Sequence, residues 1–432
     1  MLFYRLLYAV SIFFYQAGIV CSSPFSRKAA RWIQGRKNWA SQLRQILRPG
    51  ERRIWVHCAS LGEFEQGRPL IEALRKAHPD HAVLLSFFSP SGFEAARNYS
   101  GADYIQYLPM DGKRQARTFI RLVEPRLAVF VKYEFWYNYL DVLRRRGIPA
   151  LLIAASFRVG QPFFRWYGGL FRKMLQAFET IFVQDPESAR LLGRLRLDGQ
   201  VLVAGDTRYD RVAEIAAQAK PNPVLEAFKG RCELLIAGST WPEDEELLAE
   251  CISVLPKSWK LVIAPHEIDP PQLMRIRQRF GSTAICYSKW GPETGGDSRV
   301  LIIDNIGMLS SMYRYAGLAW LGGGFRRSGI HNVLEATASG LPVLFGPNYE
   351  KFVEAVQLAA QGLAFPVSDL GEARIRLEHL VADPAYRLRL KQDLLRFMAE
   401  HTGATGRIMQ RIQEKAWLSS DSRLPIGNAP KP

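Results

Sequence analysis

The chain has 432 residues, 48% of them hydrophobic and 23% charged, and a formal net charge of +16. That length exceeds one ordinary domain and suits two of roughly 180–200 residues each, while the composition excludes a largely disordered chain. The positive excess calls for an anionic partner, whether nucleic acid, acidic lipid headgroups or a phosphorylated substrate.

In chain order the most apolar stretch comes first. Leu6–Cys21 is a 16-residue run without a charge, preceded by Arg5. A full membrane span takes about 20 apolar residues, so a short anchor, a helix in the interface, a signal peptide and a helix packed on the protein itself all compete. No small-x-small cleavage site closes the run, and Gly18-Ile19-Val20 is a poor lipoprotein processing site before Cys21. Nine Lys or Arg against one acid, Glu51, follow between Arg27 and Arg53, and positive charge resists translocation. Met1–Cys21 therefore reads as a retained anchor, with the rest of the chain cytoplasmic. RNA-recognition, zinc-finger and basic-zipper patterns are absent, which favours anionic lipid over nucleic acid. The five cysteines, at 21, 58, 232, 251 and 286, form no CxxC pair. Their number and scatter disfavour a disulfide framework or a zinc site and suit a reducing compartment.

From Ile54 onward short apolar runs alternate with amphipathic ones. Strands are predicted at Ile54–Ala59, Val83–Phe88, Tyr104–Leu108, Leu127–Val131, Ala150–Ala154, Ile181–Val183 and Val201–Ala204. After a pause at Arg211–Lys229 they resume at Glu233–Ala237, Lys260–Ala264, Thr283–Cys286, Val300–Ile303, Leu318–Leu321 and Pro342–Phe345. Such alternation implies two α/β, doubly wound parallel sheets with a cleft between them, and ligands beyond the carboxyl ends of the strands. The expected organisation is an anchor over 1–22, an N-terminal Rossmann-like domain over 23–210, a C-terminal one with terminal helices over 211–418, and a tail over 419–432.

Five segments carry candidate chemistry. After the first strand, Ser60-Leu61-Gly62-Glu63 puts a carboxylate at a helix start, where the helix N-terminus favours its ionised form. Glu63 there can act as a general base, or can pair with Ser60 in a capping arrangement. Glu134, Trp136 and Asn138 end the fourth strand and suit a sugar, with the indole on a pyranose face, or else begin a helix over buried aromatics. In Gly205–Asp210, Arg208 can face a phosphate while Asp206 and Asp210 cap a turn. Gly238-Ser239-Thr240 is a candidate phosphate cradle through Ser239. The segment from Gly322 to Glu335 is the most informative. Three glycines, Gly324 among them, let backbone approach a ligand closely, and Glu335, one turn beyond His331 and near Asn332, can take a ribose diol. The acidic run Glu243-Asp244-Glu245-Glu246 reads as a solvated first turn, and no metal site is expected.

Taken together and in order, these segments resemble the 3-deoxy-D-manno-octulosonic acid (Kdo) transferase family of Gram-negative bacteria. The resemblance also covers Ser89-Pro90-Ser91-Gly92, Tyr107–Asp111, Gly346-Pro347-Asn348 and Phe352. It implies a GT-B fold, two Rossmann-like domains facing a cleft behind an N-terminal membrane anchor helix. It further implies inverting transfer of Kdo from CMP-Kdo to the lipid A precursor (lipid IVA) at the inner membrane, with no cofactor beyond the donor substrate. Glu63 would be the base, and Asn332 and Glu335 would belong to the CMP site. The chain departs from the family at three places. Pro265-His266-Glu267 stands for a Pro-Arg-His stretch, leaving His266 as the donor-side candidate; Asp304–Met308 lacks a Glu; and Arg208 replaces a Lys, keeping charge but not shape. A UDP-sugar transferase or epimerase of the same fold would keep the ribose contact and change the base it recognises. A non-enzymatic membrane adaptor would need the anchor but not these polar residues.

Overall fold

The structure, a computed structural model, describes residues 2–419. Its first sheet contains β1 (Arg52–Cys58), β2 (His81–Phe87), β3 (Tyr104–Tyr107), β4 (Pro125–Val131), β5 (Ala150–Ala155), β6 (Thr180–Val183) and β7 (Val201–Val203). All pair in parallel, in the order β3-β2-β1-β4-β5-β6-β7. The inner strands are buried on both faces, as parallel strands covered by helices must be. Trp55, Phe119, Phe130 and Tyr139 pack on one side, and Val56, Phe64, Leu85 and Phe182 on the other.

The second sheet contains β8 (Glu233–Thr240), β9 (Trp259–Pro265), β10 (Ala284–Cys286), β11 (Val300–Ile302), β12 (Leu318–Leu321), β13 (Val343–Phe345) and β14 (Ala364–Pro366). It is also parallel, in the order β10-β11-β9-β8-β12-β13-β14. The chain order reverses between β1 and β4 in the first sheet and between β8 and β12 in the second. At such a point the loops leaving adjacent strands run to opposite faces, opening a crevice beyond the carboxyl ends.

The described residues divide into two compact units, one running to Asp210 and resuming at Gly403, the other Arg211–Thr402. The resumption corrects the expected layout, in which the last helix closes the second domain. That helix, Ala404–Glu414, begins at Gly403, which has no side chain to cap it. Asp210 supplies the cap, its carboxylate accepting from Gly403 N at 2.5 Å and Thr405 N at 2.6 Å. Ile408 and Ile412 then join the core of the first unit. Apart from Ser419, the expected tail lies outside the described residues.

The N-terminal segment forms α1 (Leu2–Ser22), in which Tyr4–Ser22 is long and apolar enough to cross a membrane. Two helices that the basic block conceals follow it, α2 (Arg27–Gln34) and α3 (Trp39–Ile46). Not all of that block faces outward. Arg36 stacks on Trp32 at 3.8 Å and donates to the carbonyls of Leu108 and Phe88, both at 2.8 Å. Arg53 is buried and donates to the Val123 carbonyl at 3.1 Å. Arg27, Lys28, Arg31, Lys37, Arg44 and Arg48 remain exposed.

Candidate functional site

β1 delivers the chain to α4 (Leu61–Ala77), with Ser60 at the N-cap in an extended conformation. Only half of the expected capping arrangement forms. Glu63 reaches back and accepts from the Ala59 N–H, while the Ser60 side chain caps nothing. The carboxylate is half-buried, and its ionisation differs from the sequence expectation. Desolvation, then the nearby Glu134 charge, push its pKa up from 4.5 to about 7, although the backbone N–H groups of Ala59 and Ser60 and the charge of Lys132 pull it down. Burial outweighs the favourable helix terminus, leaving a carboxyl poised to exchange a proton near neutral pH.

Glu134 comes from the end of β4, the strand next to β1, and is buried. Its Oε2 accepts from Trp136 Nε1 at 2.6 Å and pairs with His57 Nε2 at 2.9 Å. His57, wholly buried in β1, has its Nδ1 2.9 Å from Ser86 Oγ, which accepts from Trp55 Nε1 at 2.7 Å. His57 Nδ1 also lies 3.1 Å from the Ser86 carbonyl oxygen, and a proton on Nε2 would face Glu134. The chain of bonds fixes Glu134 as a neighbour of Glu63. Trp136 packs against Phe88 with ring centroids 4.9 Å apart. Thus Ser60, Glu63, Glu134 and Trp136 share the switch point of the first sheet.

Two predicted residues of this unit are engaged elsewhere. Asn138 donates from Nδ2 to the Asp111 carbonyl at 2.7 Å, and Asp111 caps the Tyr137–Arg145 helix by accepting from Asn138 N at 2.9 Å and Tyr139 N at 3.1 Å. The Asn138 amide therefore braces a helix start instead of pointing to a sugar. Arg208, just past β7, is held by Asp206 at 2.7 Å, three strands away from β4.

In the second unit, Ser239, next to last in β8, adopts a left-handed φ of 54°, an uncommon conformation for a residue with a side chain. The glycines at the end of β12 answer a packing need that the sequence reading assigned to a ligand. A Cβ on Gly322 would stand 2.2 Å from the Ser239 carbonyl oxygen, and one on Gly324 would stand 2.4 Å from Gly346 N. Gly323, with φ of 89°, donates its N–H to Asp244 at 2.9 Å. Asp244 also accepts from Trp241 N and Trp320 Nε1. The acidic run is thus only partly solvated, with Glu243 and Glu246 exposed as expected. Asp244 and Glu245 are buried, and burial raises the pKa of both.

Beside this turn Trp241, His266 and His331 form a stack, His266 lying 4.5 Å from each neighbour. Trp241 Nε1 donates to His331 Nε2 at 3.2 Å, and the Arg326 guanidinium lies 4.0 Å over the Trp241 ring. Burial, helped by His266, lowers the pKa of His331, which favours its neutral form. The helix after the glycines is shorter than expected, only Leu334–Ala338. His331 precedes it, so His331 and Glu335 are not successive turns of one helix. Asn332 stands just before its N-cap, accepting from Leu334 N at 3.2 Å and donating to Glu335 Oε1 at 3.2 Å. Ser239, His266, Gly324, Asn332 and Glu335 therefore gather beyond the carboxyl ends of β8, β9 and β12.

Sequence reading missed His57, Trp241 and the role of Arg326. A histidine inside the apolar run Ile54–Cys58 was the signal for the first. Among the described residues one group has metal-ligand geometry, His78, Asp80 and His81, with ligand atoms within 4.8 Å of one another. It lies at the amino end of β2, at the opposite end of the strands from Glu63, and Asp80 also pairs with Arg52. All five cysteines are free thiols.

Residues 32–211 match the family model described as 3-deoxy-D-manno-octulosonic-acid transferase (kdotransferase). The 3-deoxy-D-manno-octulosonic acid transferase of Bordetella pertussis is 28% identical over 386 residues, covering 84% of this chain and 87% of that protein. Its namesake from Aquifex aeolicus (strain VF5) is 26% identical over 339 residues, covering 76% and 86%. Among solved structures, the UDP-GlcNAc 2-epimerase of Neisseria meningitidis superposes with a TM-score of 0.55 at 14% identity, over 84% of this chain and all of that one. The calicheamicin glycosyltransferase CalG4 gives 0.52 at 16% identity, over 87% and 100%. At such identities the likeness speaks to fold alone, which is the pair of Rossmann-like domains of GT-B enzymes. Sequence similarity along most of its length, on that fold, relates the chain to the 3-deoxy-D-manno-octulosonic acid transferases.

Proposed function

We propose that this chain is an inverting glycosyltransferase that moves Kdo from CMP-Kdo to lipid IVA. The observation that carries the reading is Glu63, half-buried at a sheet switch point with its pKa raised to about 7 by burial and by Glu134. A sugar hydroxyl is a poor nucleophile until a base accepts its proton. In the proposed step Glu63 takes that proton as the hydroxyl oxygen bonds to the anomeric carbon of Kdo. The bond from that carbon to the CMP phosphate oxygen breaks, and CMP leaves with the electron pair. His57 and Trp136 act as positioning residues, because they hold the Glu134 charge that tunes Glu63.

The donor side of the proposal rests on Ser239, His266, Gly324, Asn332 and Glu335, with Glu335 on the ribose diol. Arg326, held over the Trp241 ring, extends it by offering a guanidinium for the phosphate. The Arg208 contribution weakens, since Asp206 already neutralises it. No cofactor is needed beyond the donor substrate. Support for attachment to the cytoplasmic side of the inner membrane comes from α1 and from the six exposed cations after it, which suit anionic lipid. The test is the product formed from CMP-Kdo and lipid IVA, with CMP and UDP compared as stabilisers of the purified protein. Stabilisation by UDP but not CMP, with no Kdo product, would replace this reading with a UDP-sugar enzyme.

A further inference from the structure

We infer that α1 lies in the plane of the membrane surface, seated between the first unit and an anionic leaflet, and does not cross the bilayer. The inference rests on the membrane attachment proposed above and specifies its geometry. Length and composition alone would allow a span, and the side chains along α1 decide against one.

Among the described residues, Tyr4, Tyr8, Ile12 and Ile19 are the half-buried large side chains of α1. Together with Tyr15, itself about half exposed, they recur at i, i+4, i+8, i+11 and i+15, which is one face of a helix of about 3.6 residues per turn. That face meets the protein from one end of α1 to the other. Near the N-terminus Tyr8 donates to Asp111 Oδ2 at 2.6 Å, Arg5 donates to the Tyr137 hydroxyl at 2.6 Å, and Tyr137 N donates to the Tyr8 oxygen at 3.3 Å. Tyr8 also packs edge-on to the Tyr137 ring, with centroids 5.7 Å apart. Further along, Tyr15 meets Phe88 at 6.1 Å. An apolar groove of about 260 Å³ beside Tyr15 and Ile19 is walled by Trp32, Phe88 and Pro90.

Depth makes the contradiction with a span concrete. Fourteen residues separate Tyr8 from Ser22, a rise of about 21 Å at about 1.5 Å per residue. A helix leaving the protein at Ser22 to cross a bilayer would carry Tyr8 that far into hydrocarbon. Here Tyr8 instead bonds a carboxylate that belongs to the body of the first unit. The opposite face is bare: Leu6, Leu7, Val10, Phe13, Phe14 and Val20 are all exposed, as is Phe25 just beyond. Exposed Arg27, Lys28 and Arg31 follow directly. A large apolar face on a helix already docked by its other side, next to a row of cations, is how an interfacial helix meets anionic lipid.

The test uses the full chain carrying Cys21→Ser and a flexible hydrophilic tag with one cysteine ahead of Met1. Spheroplasts are treated with a membrane-impermeant maleimide, and the membrane fraction is compared with one labelled after lysis. An in-plane helix keeps the tag on the cytoplasmic side, so label should appear only after lysis. Label taken up by intact spheroplasts would put the N-terminus outside and overturn the inference while leaving membrane attachment standing. A chain that stays soluble after a salt wash and pelleting would overturn both.

Discussion

Glu63 and Glu134 leave adjacent strands of the first sheet, and each alters what the other can do. Because burial and the Glu134 charge raise the Glu63 pKa to about 7, the folded chain retains a proton there that the unfolded chain releases near 4.5. Two consequences follow from that sign. The stability contributed by this group falls as pH rises through that interval, whereas the basic form needed for transfer grows. Turnover should therefore climb with pH along an acidic limb centred near 7, and a flat rate between pH 5.5 and 8 would remove the assigned role. On the donor side, Glu335→Ala should weaken CMP binding by about 1.5–3 kcal/mol, the worth of a hydrogen bond to a charged group; calorimetric titration with CMP reads it directly. Unchanged affinity would leave Glu335 a structural partner of Asn332. Glu63 was legible in sequence as a candidate because a carboxylate directly after a glycine, at a helix start that follows a strand, suits either a base or a cap. Its raised pKa was not, because burial is a property of neighbours such as Glu134 that lie far away in the chain.

At the scale of elements, apolar runs bounded by polar turns located every strand of the first sheet and all but β14 of the second. β14 escaped because Ala364-Phe365-Pro366 is three residues long and ends in proline, too little for any periodicity to register. The acidic start of the Pro242–Cys251 helix was misread for a different reason. Charge in a first turn usually faces water, and only the fold reveals that Asp244 organises the glycine turn by gathering three N–H donors. The Ala404–Glu414 helix shows the same limit, since its cap, Asp210, lies almost two hundred residues earlier. Asp210→Ala should cost about 0.5–2 kcal/mol, the usual loss for a missing cap. The cost should appear as faster amide hydrogen exchange confined to that helix. Uniform exchange across the first unit with unchanged rates at 404–414 would show that the cap contributes nothing.

Across the whole molecule, two seven-stranded parallel sheets each present a switch point. The candidate base stands at that of the first unit, and the candidate nucleotide contacts stand at that of the second. Doubly wound sheets are hosts to many chemistries, so the fold narrows the reaction less than the residues at those points do. The account stands or falls on Glu63 accepting a proton. Its glutamine variant keeps the shape and the ability to accept from the Ala59 N–H but loses the basicity. Labelled Kdo transfer from CMP-Kdo to lipid IVA should be measured for the unmodified chain and for Glu63→Gln, with CMP binding followed in parallel. The expected result is a turnover about 10²–10⁴-fold lower in Glu63→Gln, with CMP affinity unchanged and the unfolding midpoint not lowered. Near-normal transfer by Glu63→Gln would contradict the account and reduce Glu63 to a helix cap.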